Sequence, residues 1–244
     1  MRNVLLTLKY DGTNYHGWQI QENAVTVQQA LADAIEKITK QKIMPNGCSR
    51  TDSGVHANMF CCNFKSDLVI PDKEIVRALN GNLPFDIAVT DCVTVEEDFH
   101  ARFDCKSKEY IYQIVASHIR NPFYENYALH YKYPLDIDAM NEAAKELIGK
   151  HDFAAFCSVG SSVQSTEREI FNAGFTKDND IVRFAIEGDG FLYNMVRIIV
   201  GTMLYVSQGK LKKEDIGRII LSKKRENAGP TSPAKGLFLN KVIY

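Results

Sequence analysis

The spacing of apolar residues predicts that strands and helices follow one another in the same order twice along this chain. In the first hundred residues, strand-like runs at 4–10, 42–49, 58–65 and 86–95 are separated by one amphipathic helix after the first run and another after the third. The resulting order, β-α-β-β-α-β, is typical of a ferredoxin-like unit. Such a unit packs its helices against one face of an antiparallel sheet.

The second part of the chain repeats this order without repeating the sequence. Its elements are a strand, a helix, a hairpin, a long apolar helix and a final strand, at residues 108–116, 136–148, 169–187, 190–206 and 237–243. We therefore predict an α+β protein of two ferredoxin-like halves, 1–100 and 101–244, related by a pseudo-twofold axis. Their antiparallel sheets would form a central cleft, which is a natural place for a site.

The residues that could carry chemistry are concentrated at 47–57, between the second and third predicted strands. The segment reads Gly-Cys-Ser-Arg-Thr-Asp-Ser-Gly-Val-His-Ala, and its glycines let the backbone bend tightly and approach a ligand. Arg50 and Asp52 are two residues apart, so in an extended segment their side chains point the same way. A nearby cation keeps a carboxylate ionised, as a nucleophile requires. By residue type alone, an ordinary surface turn is the more common explanation.

This segment resembles the motif Gly-Ala-Gly-Arg-Thr-Asp-Ala-Gly-Val-His-Ala of the tRNA pseudouridine synthase A family. The two sequences differ only where Cys48, Ser49 and Ser53 replace small residues of the motif. The resemblance implies that Asp52 is the catalytic aspartate. It also implies that Arg50 and His56 belong to the substrate-binding residues.

Other motifs extend the resemblance along the whole chain. Residues 10–21 match the opening pattern Y-D-G-T-x-[FY]-x-G-W-Q-x-Q, and residues 232–244 resemble the terminal pattern of the family. Tyr110 matches the tyrosine that stacks on the target base. Arg197 lies in the pattern G-x-x-F-L-x-x-x-V-R-x-x-V-G, and Asn194 stands where histidine is common. The resemblance implies that Asp52, Tyr110 and Arg197 are the catalytic residues.

The surroundings of Arg197 indicate how it could act. The long predicted helix is apolar on most sides, and Arg197 lies on its one different stripe with Asn194 and Gly201. A buried arginine requires an anionic partner, for which Asp52 is our choice. A pair with another acid, or a side chain that reaches solvent along its stem, would explain the pattern as well.

The reaction that the resemblance implies is the isomerisation of uridine to pseudouridine at positions 38, 39 and 40 of the tRNA anticodon stem-loop, by a homodimer. The N1–C1′ bond breaks, the uracil turns, and C5 bonds to C1′. Nothing is oxidised or hydrolysed, so we expect no cofactor and no metal. Asp52 would attack C1′ or remove the 2′ hydrogen. Stacking is the primary role of Tyr110, and proton transfer by it is a separate hypothesis, because a tyrosine of ordinary pKa, about 10, is a weak base at neutral pH.

Composition agrees with a soluble cytoplasmic protein but not obviously with an RNA-binding one. The six cysteines show no C-x-x-C spacing, no apolar run is long enough to span a membrane, and the N-terminus lacks a signal-peptide pattern. We expect reduced thiols and no membrane association. A formal net charge of −1 is unfavourable for phosphate binding, so we predict that the positive side chains converge on one groove.

Two other classes of protein remain alternatives. One is a non-catalytic RNA-binding protein on the same fold, in which Asp52 could be replaced without loss of function. The other is a metal-assisted hydrolase that uses Asp52, His56 and His100. Metal in the purified protein, and loss of activity with a chelator, would identify the hydrolase.

Overall fold

The computed structural model describes residues 1–160 and 163–244, which form two compact units. The first unit contains residues 1–106 and 238–244, and the second contains residues 107–237. Both units combine helices with a mostly antiparallel sheet, which confirms the predicted α+β class. The pseudo-twofold axis, the central cleft and the boundary at residue 100 stay predictions.

The first unit has the element order β-α-β-β-α-β that its apolar periodicity predicts. Its elements are β1 (Arg2–Tyr10), α1 (Val27–Thr39), β2 (Asn46–Gly47), β3 (His56–Ser66), α2 (Asp72–Asn80) and β4 (Ile87–Val95). The sheet order is β4-β1-β3, with β2 beyond β3, and these pairs are all antiparallel. This is the strand order of a ferredoxin-like unit.

Alternation along the strands places the core of this unit on one face of the sheet. Val4, Leu6 and Leu8 of β1 are buried, and Leu8 lies opposite the buried Phe60 of β3. Helix α1 begins at the N-cap Thr26, whose hydroxyl accepts from the backbone N–H of Gln29, and it ends at Lys40 in a left-handed conformation. Its apolar stripe is buried as its spacing predicts.

The predicted strand at 42–49 is wrong over most of its length, because only Asn46 and Gly47 pair with β3. Pro45 has no N–H to donate to a ladder, and its carbonyl accepts from the Gln28 side chain instead. The chain therefore reaches β3 through a mostly irregular connection.

The second unit contains a sheet of the order β5-β9-β8-β7, with β6 paired in parallel to β5. Its strands are β5 (Ser107–Ala116), β6 (Leu129–Tyr131), β7 (Gly149–Asp152), β8 (Glu167–Asp178) and β9 (Ile181–Gly188). Its helices are α3 (Ile137–Ala144), α4 (Met195–Ser207) and α5 (Asp215–Ser222). The short strands β6 and β7 were not predicted from the sequence. In β6 only Leu129 and Tyr131 alternate with a polar residue, which is too short a run to indicate a strand, and β7 contains no large apolar residue.

Helix α4 starts five residues later than the predicted helix at 190–206. Asn194 has a φ of 61°, which no α-helical residue adopts, so the helix can begin only at Met195. From there the helix is apolar almost all round, and it packs against α3 and β5. The late start matters for the site, because Arg197 lies in the first turn rather than mid-helix.

The last strand, β10 (Leu237–Ile243), carries the chain back into the first unit. Phe238 and Leu239 pair in parallel with His56 and Ala57 at the start of β3. The Tyr244 hydroxyl donates to the carbonyl of Ala101 at 2.9 Å. The start of β10 thus lies beside the start of β3, the strand that follows the segment containing Asp52.

All six cysteines lie in the described part of the chain, and they are thiols rather than disulfides. Burial raises the pKa of the Cys61 thiol to about 11, which keeps it protonated and unreactive at neutral pH. No helix within residues 1–160 and 163–244 is long and apolar enough to cross a membrane.

Candidate active site

Asp52 lies on the irregular loop that joins β2 to β3, in the first unit. Exposure alternates along this loop as it does in an extended segment: Thr51 is buried, Arg50 is exposed and Asp52 is half-buried. The backbone N–H of Val55 donates to the carbonyl of Asp52 at 3.2 Å, and Gly54 adopts a φ of 77°. The loop therefore extends to Asp52 and then turns sharply into β3.

Residues 10–18, here called the opening segment, hold this loop in place by hydrogen bonds. The Tyr10 hydroxyl lies 2.9 Å from the Thr51 hydroxyl in a buried environment. The backbone N–H of Trp18 donates to the Thr51 carbonyl at 3.2 Å. The carbonyl of Tyr15 accepts from the backbone N–H of Gly54 at 3.1 Å. The residues on both sides of Asp52 are thus tied to one segment.

Two glycines of the opening segment allow this close approach. A Cβ at Gly12 would lie 1.9 Å from the carbonyl oxygen of Val55, and one at Gly17 would lie 2.2 Å from that of Thr51. Gly17 also adopts a φ of 83°, which L-residues with a side chain rarely adopt. Any side chain at either position would displace the Asp52 loop.

The opening segment is itself anchored to the turn before β4. The Tyr15 hydroxyl donates to Asp86 Oδ1 at 2.5 Å, and the Asp11 N–H donates to the Asp86 carbonyl at 2.9 Å. Burial, and then the bond to Asp86, raise the pKa of the Tyr15 hydroxyl, so it remains a neutral donor at physiological pH. This anchoring was not anticipated from the sequence, in which the opening pattern signalled only a family resemblance.

The structure places His56 in the core at the start of β3. Only 1% of the residue is exposed, and its ring stacks on Phe238 at 4.6 Å between centroids. Its Nδ1 atom lies 3.0 Å from the backbone nitrogen of Gly12 and 3.1 Å from Asp11 Oδ1. His56 therefore joins the Asp52 loop to the opening segment, and its contact with substrate stays a prediction.

His100, the third residue of the hydrolase alternative, lies in a turn after β4. Its Nδ1 atom accepts a hydrogen bond from the backbone N–H of Arg102 at 3.1 Å, and its ring packs beside that of Phe103. Within the described residues, no group of three or more His, Cys, Asp or Glu side chains is arranged to hold a metal ion. The ligand set that the hydrolase would need is thus not seen there.

Arg197 and Tyr110 belong to the second unit. The half-buried Arg197 donates from Nε to the Ser232 carbonyl and from Nη1 to Asn194 Oδ1, both at 2.7 Å. The backbone of Ser232 also donates to the Arg197 carbonyl at 3.1 Å. A Cβ at Gly201 would lie 1.8 Å from the Pro230 carbonyl oxygen, so a glycine there lets the 229–232 segment reach α4.

Tyr110 and Tyr112 both point to the buried face of β5, as their spacing predicts. Tyr110 is 5% exposed, and Phe191 meets its ring edge-on at 5.0 Å. The Tyr112 hydroxyl donates to the Pro233 carbonyl at 2.8 Å. Burial raises the pKa of that hydroxyl, although the charge of Arg197 opposes the shift.

We expect Tyr112→Phe to lower the free energy of unfolding by about 1–2 kcal/mol, because it leaves the Pro233 carbonyl without its buried donor. Urea denaturation followed by circular dichroism measures this change. Tyr193→Phe, at a half-exposed position, is the control and should stay within about 0.5 kcal/mol of wild type. Equal stability of wild type and Tyr112→Phe would show that the hydrogen bond contributes nothing.

The sequence and the fold were compared with those of known proteins. The family described as tRNA pseudouridine synthase matches residues 7–104 and 143–244. The tRNA pseudouridine synthase A of Thermoanaerobacter sp. strain X514 is 49% identical over 244 residues, and that of Clostridium acetobutylicum is 50% identical, each alignment covering 100% of both chains. One chain of a crystal structure of a Cbf5-Nop10-Gar1 complex aligns with 96% of this chain and 57% of its own length, at 12% identity and a TM-score of 0.34. That last likeness is too weak to support any conclusion.

The α+β fold, the Asp52 loop and these full-length matches place the protein among the pseudouridine synthases. Within that class, the chain belongs to the tRNA pseudouridine synthase family.

Proposed function

We propose that this protein isomerises uridine to pseudouridine in the tRNA anticodon stem-loop, at positions 38, 39 and 40. The main support for the proposal is the Arg-Thr-Asp sequence at residues 50–52. This sequence lies on a loop that hydrogen bonds to the opening segment hold on both sides of Asp52. Family membership, with relatives named tRNA pseudouridine synthase A along the full chain, supports the substrate and the reaction.

Asp52 is the catalytic carboxylate in this proposal. It either attacks C1′ of the target nucleotide or removes the 2′ hydrogen to give a glycal, and in both routes the N1–C1′ bond breaks while the uracil stays bound. The carboxylate must be ionised and held in one orientation. The hydrogen bonds of Thr51 support this role, because Tyr10 holds its hydroxyl and the backbone N–H of Trp18 holds its carbonyl, directly before Asp52.

Arg197 supplies the positive charge that keeps Asp52 ionised, and Tyr110 stacks on the uracil. Two acceptors, the Ser232 carbonyl and Asn194, restrict the direction of the Arg197 guanidinium before any substrate arrives. The edge-on contact with Phe191 likewise sets the plane of the Tyr110 ring. Both observations fit residues that must be oriented in advance.

Arg50 and His56 complete the proposed site in different ways. Arg50 is exposed, so it can contact the RNA backbone or fill the space that the flipped base leaves. Flipping the base out of its stack costs a few kcal/mol. His56 connects the Asp52 loop to the opening segment through its contacts with Gly12 and Asp11. We assign its effect on substrate binding to the loop whose position it maintains.

The remaining parts of the proposal concern the assembly. The protein acts in the cytoplasm as a homodimer, and it needs no cofactor because the reaction neither oxidises nor hydrolyses its substrate. A net charge of −1 gives one chain little overall attraction for RNA. Dimerisation would bring the basic side chains of two chains to one tRNA and would form the predicted groove.

The proposal is tested with three tRNA transcripts, each labelled with tritium at uridine C5 and retaining a single uridine at position 38, 39 or 40. We expect wild-type protein to release tritium from all three, because formation of the C5–C1′ bond displaces the label. A fourth transcript with no uridine at these positions is the control and should release none.

Release from only one or two transcripts would limit the modified positions to the uridines of those transcripts and would leave the proposed reaction unchanged. Absence of release from all three, with tRNA binding intact, would overturn the isomerase proposal and favour the non-catalytic RNA-binding alternative. Filter binding with the same transcripts separates these outcomes.

A further inference from the structure

A chain of hydrogen bonds leads from Arg197 to the loop that follows β7. Arg197 Nη1 donates to Asn194 Oδ1 at 2.7 Å, and Asn194 Nδ2 donates to the Ser158 hydroxyl at 2.9 Å. The backbone strengthens the link, since the Ser158 N–H donates to the Tyr193 carbonyl at 3.1 Å. Asn194 is therefore the middle residue of this series of hydrogen bonds, in contact with both Arg197 and Ser158.

Chemistry fixes which way the Asn194 amide faces. A guanidinium has only donors, so the atom that meets Arg197 must be the amide oxygen, and the amide nitrogen must then point to Ser158. An amide keeps this acceptor at every physiological pH. The direction of the Arg197 side chain therefore does not depend on the protonation of its neighbour.

The backbone conformation at Asn194 also restricts which residue types can occupy this position. Its φ of 61° lies in the left-handed region, where asparagine is several-fold enriched among residues with a side chain. This conformation ends the preceding turn and starts α4 at Met195, which puts Arg197 one helical turn past the Asn194 amide. Glycine alone could keep the conformation at no steric cost while removing the amide.

We propose that Asn194 is a positioning residue, which aims the Arg197 guanidinium and couples its orientation to the loop at Ser158. The inference rests on the proposed function, in which Arg197 acts on Asp52. Its effect falls on the chemical step rather than on tRNA affinity, because Asn194 acts through another side chain and not on the RNA.

Two substitutions separate positioning from a structural role. Asn194→Gly keeps the backbone and removes the acceptor, so we expect the single-turnover rate of tritium release to fall about tenfold, with the dissociation constant for tRNA within twofold of wild type. Asn179→Gly is the matched control, because Asn179 also has a positive φ but lies in the exposed β8–β9 turn. We expect it to keep the wild-type rate.

Asn194→His makes the acceptor titratable. A neutral imidazole can accept from Arg197 and donate to Ser158, whereas the imidazolium can only donate. Because an isolated histidine has a pKa of about 6.5 and a neighbouring cation lowers it, the added loss of rate should appear at or below that pH. The charged or titratable groups next to this point include Arg197 on α4, Tyr193 directly before Asn194, and the Cys157 thiol, which donates to the Ser158 carbonyl at 3.5 Å. The Tyr112 hydroxyl on β5 feels the Arg197 charge.

The rates are measured between pH 5.5 and 8.5 for wild type and Asn194→His. We expect the rate at pH 8.5 divided by the rate at pH 5.5 to be at least about fivefold larger for Asn194→His than for wild type. The circular dichroism spectrum should stay unchanged across this pH range. Parallel profiles would overturn the inference, as would a wild-type rate for Asn194→Gly. A loss of tRNA binding equal to the loss of rate would also overturn it.

Arg197→Gln, which removes the positive charge, distinguishes failure of this inference from failure of the proposed function. If Arg197→Gln is inactive while Asn194→Gly is fully active, Asn194 does not position Arg197, and the proposed function stands. If Arg197→Gln keeps the wild-type rate, the role of Arg197 itself is wrong, and the inference falls with it.

Discussion

The Asp52→Asn variant should release tritium from tRNA labelled at uridine C5 at least about a thousandfold more slowly than wild type. Asparagine keeps the shape of the side chain but can neither attack C1′ as a carboxylate nor remove the 2′ hydrogen as a base. Because both proposed routes need the carboxylate, the expected loss is the same for each. The tRNA dissociation constant should stay within a few-fold of wild type or decrease, since a negative charge is lost from an RNA-binding surface.

Single-turnover tritium release and filter binding on the same preparations measure this effect. The control is Asp67→Asn, which removes the same charge from an exposed position after β3. We expect it to keep the wild-type rate. Equal rates for wild type and Asp52→Asn would assign catalysis to another residue, whereas a large loss in tRNA affinity would show that Asp52 binds rather than reacts.

Most of the fold could be predicted because its strands and helices have clear apolar periods. The buried stripe of α1 and the alternation along β1 both follow directly from residue spacing. The predicted boundaries of strands and helices are wrong where one residue interrupts the apolar pattern. Pro45 interrupts the strand predicted at 42–49, and the positive φ of Asn194 delays α4, an effect that a count of apolar positions cannot detect.

The motifs from which the site residues are proposed can be read in the sequence, whereas the contacts that hold those residues in place cannot. The motif around Asp52 is contiguous in the sequence, so it can be recognised without a structure. Its bond to Tyr10 joins residues 41 positions apart, and the link from Arg197 to Ser158 depends on an amide whose orientation only neighbouring groups decide. Contacts of this kind arise from the packing of separate segments, on which a periodic pattern carries no information.

Gly17→Ala should lower both the free energy of unfolding and the rate of tritium release. Two costs add at this position: a φ of 83° that disfavours alanine, and a Cβ that would lie 2.2 Å from the Thr51 carbonyl oxygen. Gly209→Ala is a matched control that carries only the first cost, since its φ is 68° and no atom lies within 4 Å of the new Cβ. We expect Gly209→Ala to lose about 1 kcal/mol of stability and Gly17→Ala at least about 2 kcal/mol more.

The activities of these variants should differ more than their stabilities. At Gly17 the backbone of the Asp52 loop must move to admit the methyl group, and a displacement of about 1 Å at a catalytic group can cost about a hundredfold in rate. Gly209→Ala should therefore keep the wild-type rate of tritium release, while Gly17→Ala loses about a hundredfold under conditions where both remain folded. Urea denaturation by circular dichroism gives the stabilities, and fluorescence of Trp18, the only tryptophan, reports on the opening segment itself. If Gly17→Ala kept full activity, the opening segment would not determine the position of Asp52, and the close contacts at Gly12 and Gly17 would serve folding alone.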